Sequence, residues 1–309
     1  MSWVRIPSLT PLAGGPDPPA LVVRNEPGMG DAIVPPLTEL LGRWRDDLAA
    51  WAIPEHISAA VTVSPWVLPR QVFARRADRL RDHPAGPSCD RAREALDPAG
   101  SLLDVGAGAG AACLPLASHT TSLTAVDTDD EMLRLLAERA EPLGLATRMV
   151  LGRWPDVAGQ TASADVVTCH HTGYNVPDIG PFIAALTSHA RRRVVLEVTA
   201  VHPLAALNPL WLRFHGITRP ESPTAADLLA ILSAMGLRAR HTRWNRPAER
   251  DYASVGELVE VTRRRLCLPP ERASDVEAAL LDLGTQPGCP GDVGSSGREV
   301  VTMWWEGSA

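Results

Sequence analysis

The nine residues Leu102-Leu103-Asp104-Val105-Gly106-Ala107-Gly108-Ala109-Gly110 constrain this chain more than any other stretch. Leu102, Leu103 and Val105 suit a strand buried on both faces, whereas Gly106, Gly108 and Gly110 permit positive φ angles and close backbone approach to a ligand. The run Ala111 to Ala117 then reads as a helix. Pro115 is tolerable only in its first turn, where backbone N–H groups have no intrahelical partner, so the helix is expected to start near Ala111 or Ala112. A strand, a glycine turn and a helix N-terminus together open a nucleotide-binding β-α-β unit.

The glycine spacing does not by itself select a ligand, because Ala111 also satisfies the looser dinucleotide pattern. Asp104, two residues before the first glycine, is more selective. A carboxylate there faces a ligand's positive charge or hydroxyls and repels a pyrophosphate. The next apolar run, Ser122 to Val126, ends in Asp127, 21 positions beyond Gly106, where a carboxylate can accept hydrogen bonds from ribose hydroxyls. Asp129 and Asp130 lie nearer for capping the helix that follows through Met132, Leu133, Leu136 and Ala140.

With these residues the chain resembles the class I S-adenosylmethionine (SAM) dependent methyltransferases, whose cofactor carries an ammonium and a sulfonium but no phosphate. The resemblance covers about residues 98–246 and the last strand, and its post-strand-four segment is similar to that of the ubiquinone/menaquinone group of small-molecule methyltransferases. It implies an α/β fold: a Rossmann-like, seven-stranded, mostly parallel sheet with a reversed last strand, Glu299 to Trp305, and an N-terminal helical lid. It also implies SAM as cofactor, S-adenosyl-L-homocysteine (SAH) as product, and Asp104, Gly106, Gly108, Gly110, Asp127 and Thr128 as cofactor residues. After the third strand, Ala146 to Leu151, many relatives place an acid behind the glycine to bind the adenine amine. Here Arg153 stands in that place, and Trp154 is the candidate to stack on the adenine instead.

The fourth strand, Ala164 to Cys169, runs into His170-His171-Thr172-Gly173-Tyr174-Asn175, and ligands of open parallel sheets bind beyond the carboxyl ends of their strands. Cys169 and His170 are therefore further cofactor candidates. His170 and His171 are the candidate general bases, since imidazole titrates near neutrality and can take a proton from a hydroxyl nucleophile. Tyr174 joins the catalytic candidates, with loop anchoring as its other reading. Substrate contacts are expected from Trp66 in the lid, from Asn175, and from His202, Trp211 and Phe214 in the long proline-rich connection 199–223.

Three segments follow: a Pro/Gly-rich arm, 1–36, whose Ala20 to Val23 suits an edge strand; a helical lid, 37–97; and the SAM-binding domain, 98–309. Lid helices are expected from Leu37, over Pro54–Val61, Pro69–Arg81 and Ser88–Leu96. All 30 basic residues are arginine, which removes lysine Schiff-base chemistry. A net charge of −6 gives no field that gathers nucleic acid, and the five scattered cysteines lack metal-ligand spacing, so neither a nucleic-acid partner nor a metal is expected. No apolar run reaches the roughly 18 residues of a membrane span, and a cytoplasmic protein with a small-molecule acceptor is the expectation. Two other readings compete with methyl transfer: a catalytically silent SAM-binding or partner-binding module, and an NAD(P)-dependent oxidoreductase, against which Asp104 argues.

Overall fold

The structure, a computed structural model, describes residues 35–59, 64–65, 68–247, 250–291 and 299–309. The expected arm with its Ala20–Val23 strand, and Trp66, lie outside the described residues, as does the end of the helix expected over Pro54–Val61.

Seven strands form one sheet: β1 (Gly100–Val105), β2 (Thr120–Asp127), β3 (Thr147–Leu151), β4 (Ala164–His170), β5 (Ala190–Thr199), β6 (Arg240–Asn245) and β7 (Glu299–Glu306). Their order is β3-β2-β1-β4-β5-β7-β6, parallel from β3 through β5, with β7 antiparallel to both of its neighbours. The reversed last strand thus inserts between β5 and β6. The helices are α1 (Leu37–Ala49), α2 (Glu55–Ser58), α3 (Arg70–Asp82), α4 (Pro87–Ala95), α5 (Asp130–Ala140), α6 (Ile179–His189), α7 (Asn208–His215), α8 (Ala225–Ala234), α9 (Val255–Arg265) and α10 (Ala273–Asp282). No helix among the described residues is long and apolar enough to cross a membrane.

Alternation along the strands builds two cores. Leu103, Val105, Val167, Cys169, Leu196 and Val198 face a layer that contains α1, α6 and α8, while Leu102, Leu123, Val166 and Val195 face α4 and α5. A third cluster gathers Trp51, Leu204, Trp211, Tyr252 and the apolar faces of α9 and α10. The α3 helix joins these layers. Its Asp78 takes a two-pronged ion pair from Arg139 of α5, and its Arg76 donates to the buried Asp251 at 2.9 Å.

The segment after the glycine turn departs from expectation. Residues 108–113 form turns, and a 3-10 helix, Leu114–His119, follows in place of an α-helix from Ala111. Pro115 does stand in the first turn, but the helix starts later because the proline ring excludes an α-helical carbonyl at Ala111.

Candidate functional site

The end of β1 is tied to the end of β2 by backbone. Gly106 and Ala107 both donate to the Val126 carbonyl, at 2.8 and 3.1 Å, and the Gly108 N–H donates to Asp127 Oδ2 at 2.7 Å. Gly106 has φ 73°, and a Cβ there would lie 2.2 Å from Thr172 Oγ1 on the segment after β4. Only glycine permits that approach. Asp127 Oδ1 accepts from the Asp129 N–H at 3.0 Å, so each carboxylate oxygen has one backbone donor and keeps a further lone pair. Asp129 in turn caps α5, accepting from Glu131 and Met132, and receives Arg70 of α3 through Nε and Nη2 at 3.1 and 3.2 Å.

These groups edge a cleft of about 440 Å³ at the carboxyl ends of β1, β2 and β4. One wall comes from Gly152, Arg153 and Trp154 after β3, another from Thr172, Asn175 and Val176 after β4, and the covering edge from Leu68, Arg70 and Phe73 of the N-terminal segment. Trp154 is buried, its ring edge-on to His189 at 4.9 Å. Its indole N–H meets no acceptor among the described residues, leaving a buried donor behind the cleft wall. Arg153 is exposed at the lip and holds no ion pair among the described residues.

Of the residues singled out in the sequence, Gly106, Gly108, Asp127, Thr128, Arg153, Trp154 and Asn175 line this cleft together. The others lie elsewhere. Asp104 is buried beneath it, on the α4 side of the sheet, accepting from Thr168 Oγ1 at 3.0 Å. Gly110 packs toward Leu114 and Leu136, and Cys169 is in the core on the α6 side. Tyr174 is buried with its hydroxyl donating to the Thr199 carbonyl at 2.7 Å, and its ring stacks on Trp44, which fixes it as an anchor of the loop. His202 stacks on Trp51 at 3.9 Å and accepts from the Leu204 N–H. Trp211 and Phe214 belong to the third cluster, with Arg219 over Trp211 and Arg272 over Phe214.

The two histidines are also directed away from the cleft. His170 lies beside Glu197 on the α4 face, because alternation turns it opposite to Cys169. His171 adopts φ 56°, and its Nε2 is 2.8 Å from Glu197 Oε1 and 2.6 Å from Arg246 Nη2. Burial opposes ionisation of Glu197, but His170 and Arg246, together with the His171 hydrogen bond, hold it well below the usual carboxylate range.

Sequence reasoning missed Arg70, Asp129 and Thr172 as cleft residues. Asp129 was visible as the α5 cap, and Thr172 as a neighbour of the histidines; nothing in the pattern marks Arg70 beyond its place after Pro69. Arg75 is committed to Glu257 and Arg76 to Asp251, so neither of these lid arginines reaches the cleft.

The seven strands form a Rossmann-like, mostly parallel sheet with a reversed strand inserted between β5 and β6. Residues 102–193, from β1 into β5, match the family model described as a methyltransferase domain. Among solved structures the chain is similar to a SAM-dependent methyltransferase from Thiobacillus denitrificans in complex with SAH, at 19% identity and TM-score 0.46, over 78% of this chain and 99% of that one. It is similar also to magnesium protoporphyrin IX methyltransferase from Synechocystis PCC 6803 with bound SAH, at 16% identity and TM-score 0.44, over 76% and 94% of the two chains. No curated protein matches the chain in sequence.

Proposed function

We propose that this chain is a SAM-dependent methyltransferase with a small-molecule acceptor. The observation that carries the reading is the Asp127 cradle: a half-buried carboxylate fixed by the Gly108 and Asp129 N–H groups, with a further lone pair on each oxygen at the edge of the cleft beside the glycine turn. A pyrophosphate is disfavoured there, since Asp127 and Asp129 both border the cleft and Asp104 lies beneath it. The residues fit SAM. Asp127 would take the ribose hydroxyls, the cleft-facing part of the Trp154 ring would border the adenine, and Gly106 and Gly108 would admit the aminoacyl portion close to backbone.

The bound cofactor supplies a methyl group already activated on a sulfonium. The protein's part is then to orient an oxygen, nitrogen or carbon nucleophile in line with that methyl group and to exclude water. Phe73 and Leu68 from the covering segment, with Val176 and Phe182 opposite, provide the apolar walls that do this. The finer reading, a base drawn from His170 or His171, has less support, because neither ring lines the cleft and His171 Nε2 is bound to Glu197 and Arg246. The chain positions its acceptor without a base from this pair, beneath the edge formed by Leu68, Arg70 and Phe73.

A crystal structure with SAH tests this. The ribose hydroxyls are expected within hydrogen-bond distance of Asp127 and the adenine against Trp154; SAH bound elsewhere overturns the assignment. Transfer of labelled methyl from SAM to any small acceptor excludes the silent binder.

A further inference from the structure

The segment that closes the cleft from the β4 side depends on a residue outside the methyltransferase match. His171 has φ 56°, in the left-handed region that a side chain other than glycine occupies only where its surroundings hold it. Three contacts supply that hold. The His171 N–H donates to the Glu197 carbonyl at 2.7 Å; Nε2, 2.8 Å from Glu197 Oε1 and 2.6 Å from Arg246 Nη2, donates to the carboxylate when it carries the proton and accepts from the guanidinium when it does not; and Arg246 Nη2 donates to Glu197 Oε1 at 2.5 Å. All three side chains are nearly buried, at 10, 6 and 12% exposure for His171, Glu197 and Arg246. The next residue, Thr172, lines the cleft, and its Oγ1 sits where a Cβ on Gly106 would be. Arg246 comes from the chain just after β6, far beyond Arg193, where the family match ends.

We propose that Arg246 is a positioning residue for the cofactor cleft: through Glu197 and His171 it fixes the left-handed turn that sets Thr172 against the Gly106 turn. The inference rests on the reading of the cleft as a SAM site. Arg246 touches neither the cleft nor the reacting atoms; it acts by holding one wall. Both contacts come from Nη2, so the length of the arginine side chain, which carries that nitrogen to the Glu197–His171 pair, is what the position requires.

The test is calorimetric titration of SAH into four full-length chains: wild type, Arg246→Gln, His171→Gly and the double variant. Glycine at 171 adopts the left-handed turn unaided, so it uncouples the turn from the cluster. Arg246→Gln is expected to weaken SAH binding about tenfold in the wild-type background and less than about twofold in the His171→Gly background. Thermal unfolding of each variant checks the fold, and Arg246→Lys, which keeps the buried charge on a shorter side chain, gives a second measurement expected to fall between wild type and Arg246→Gln. If the wild type binds SAH and Arg246→Gln binds it equally well, this inference alone falls. The same tenfold loss in both backgrounds also overturns it, since the cluster would then act somewhere other than the turn. A wild-type chain that takes up no SAH overturns the functional reading and this inference with it.

Discussion

Asp127 joins three parts of the site: the Gly108 N–H on one oxygen, the Asp129 N–H on the other, and the remaining lone pairs facing the cleft. In Asp127→Asn the amide nitrogen must oppose one of those two N–H donors, at a cost of about 1–3 kcal/mol. SAH affinity measured by calorimetry is therefore expected to fall about tenfold or more, each 1.4 kcal/mol being roughly a factor of ten; unchanged affinity would remove Asp127 from the site. Glu197 gives a pH signature. Its folded pKa lies below the ordinary glutamate value of 4.5, so its contribution to stability is complete above that value and is lost as pH falls through the folded pKa. The unfolding temperature of the wild type should drop as the pH is lowered below 4.5, whereas Glu197→Gln, less stable at neutral pH, should show a shallower acid decline. At this scale the sequence announced Asp127 and Trp154 through their places after strands, but not the direction of the histidines. Strand alternation sets His170 opposite to Cys169, and the left-handed turn at His171 depends on Arg246, 75 residues on.

Among elements, the covering edge of the cleft is held by Arg70, the first residue of α3, gripping the residue that caps α5. Its side chain is half exposed, so the pair adds at most about 1 kcal/mol to stability. Asp129→Asn separates its two roles, because asparagine caps a helix about as well as aspartate but loses the charge that Arg70 grips. Thermal stability should change little, while SAH dissociation followed by stopped flow should accelerate several-fold; an unchanged rate would mean the clasp has no part in retaining the ligand. Element boundaries were legible where local chemistry marks them. Thr224 and Asp227 form a capping box at the start of α8, and β4 begins at Ala164 as its pattern indicates. The helix after the glycine turn was overestimated, since an alanine-rich run favours helix but Pro115 confines it to a short 3-10 segment.

For the molecule as a whole, strands alternating with helices made an α/β sheet readable, and the reversed last strand was implied by the methyltransferase resemblance, whereas the strand order β3-β2-β1-β4-β5-β7-β6 was not among the expectations. Nor was the third cluster. Its helices α9 and α10 share a core with Trp211 and with Trp51, more than 200 residues before them, and that core holds Trp211 and Phe214, with His202 stacked on Trp51, in place of the substrate contacts expected of them. Asp251 links this layer to α3 as a buried carboxylate facing Arg76 and, at 3.6 Å, Arg79. Asp251→Ala leaves a buried guanidinium without its carboxylate and is expected to cost about 3–5 kcal/mol in urea unfolding. A loss below about 1 kcal/mol would show that α3 does not depend on that anchor.

The most direct test of the central claim is calorimetric titration of the full-length wild-type chain with SAH and, separately, with NAD. One SAH site per chain is expected, strongly weakened in Asp127→Ala, with no heat from NAD. Absence of SAH binding, or saturable binding of NAD in the same cleft, would contradict the claim.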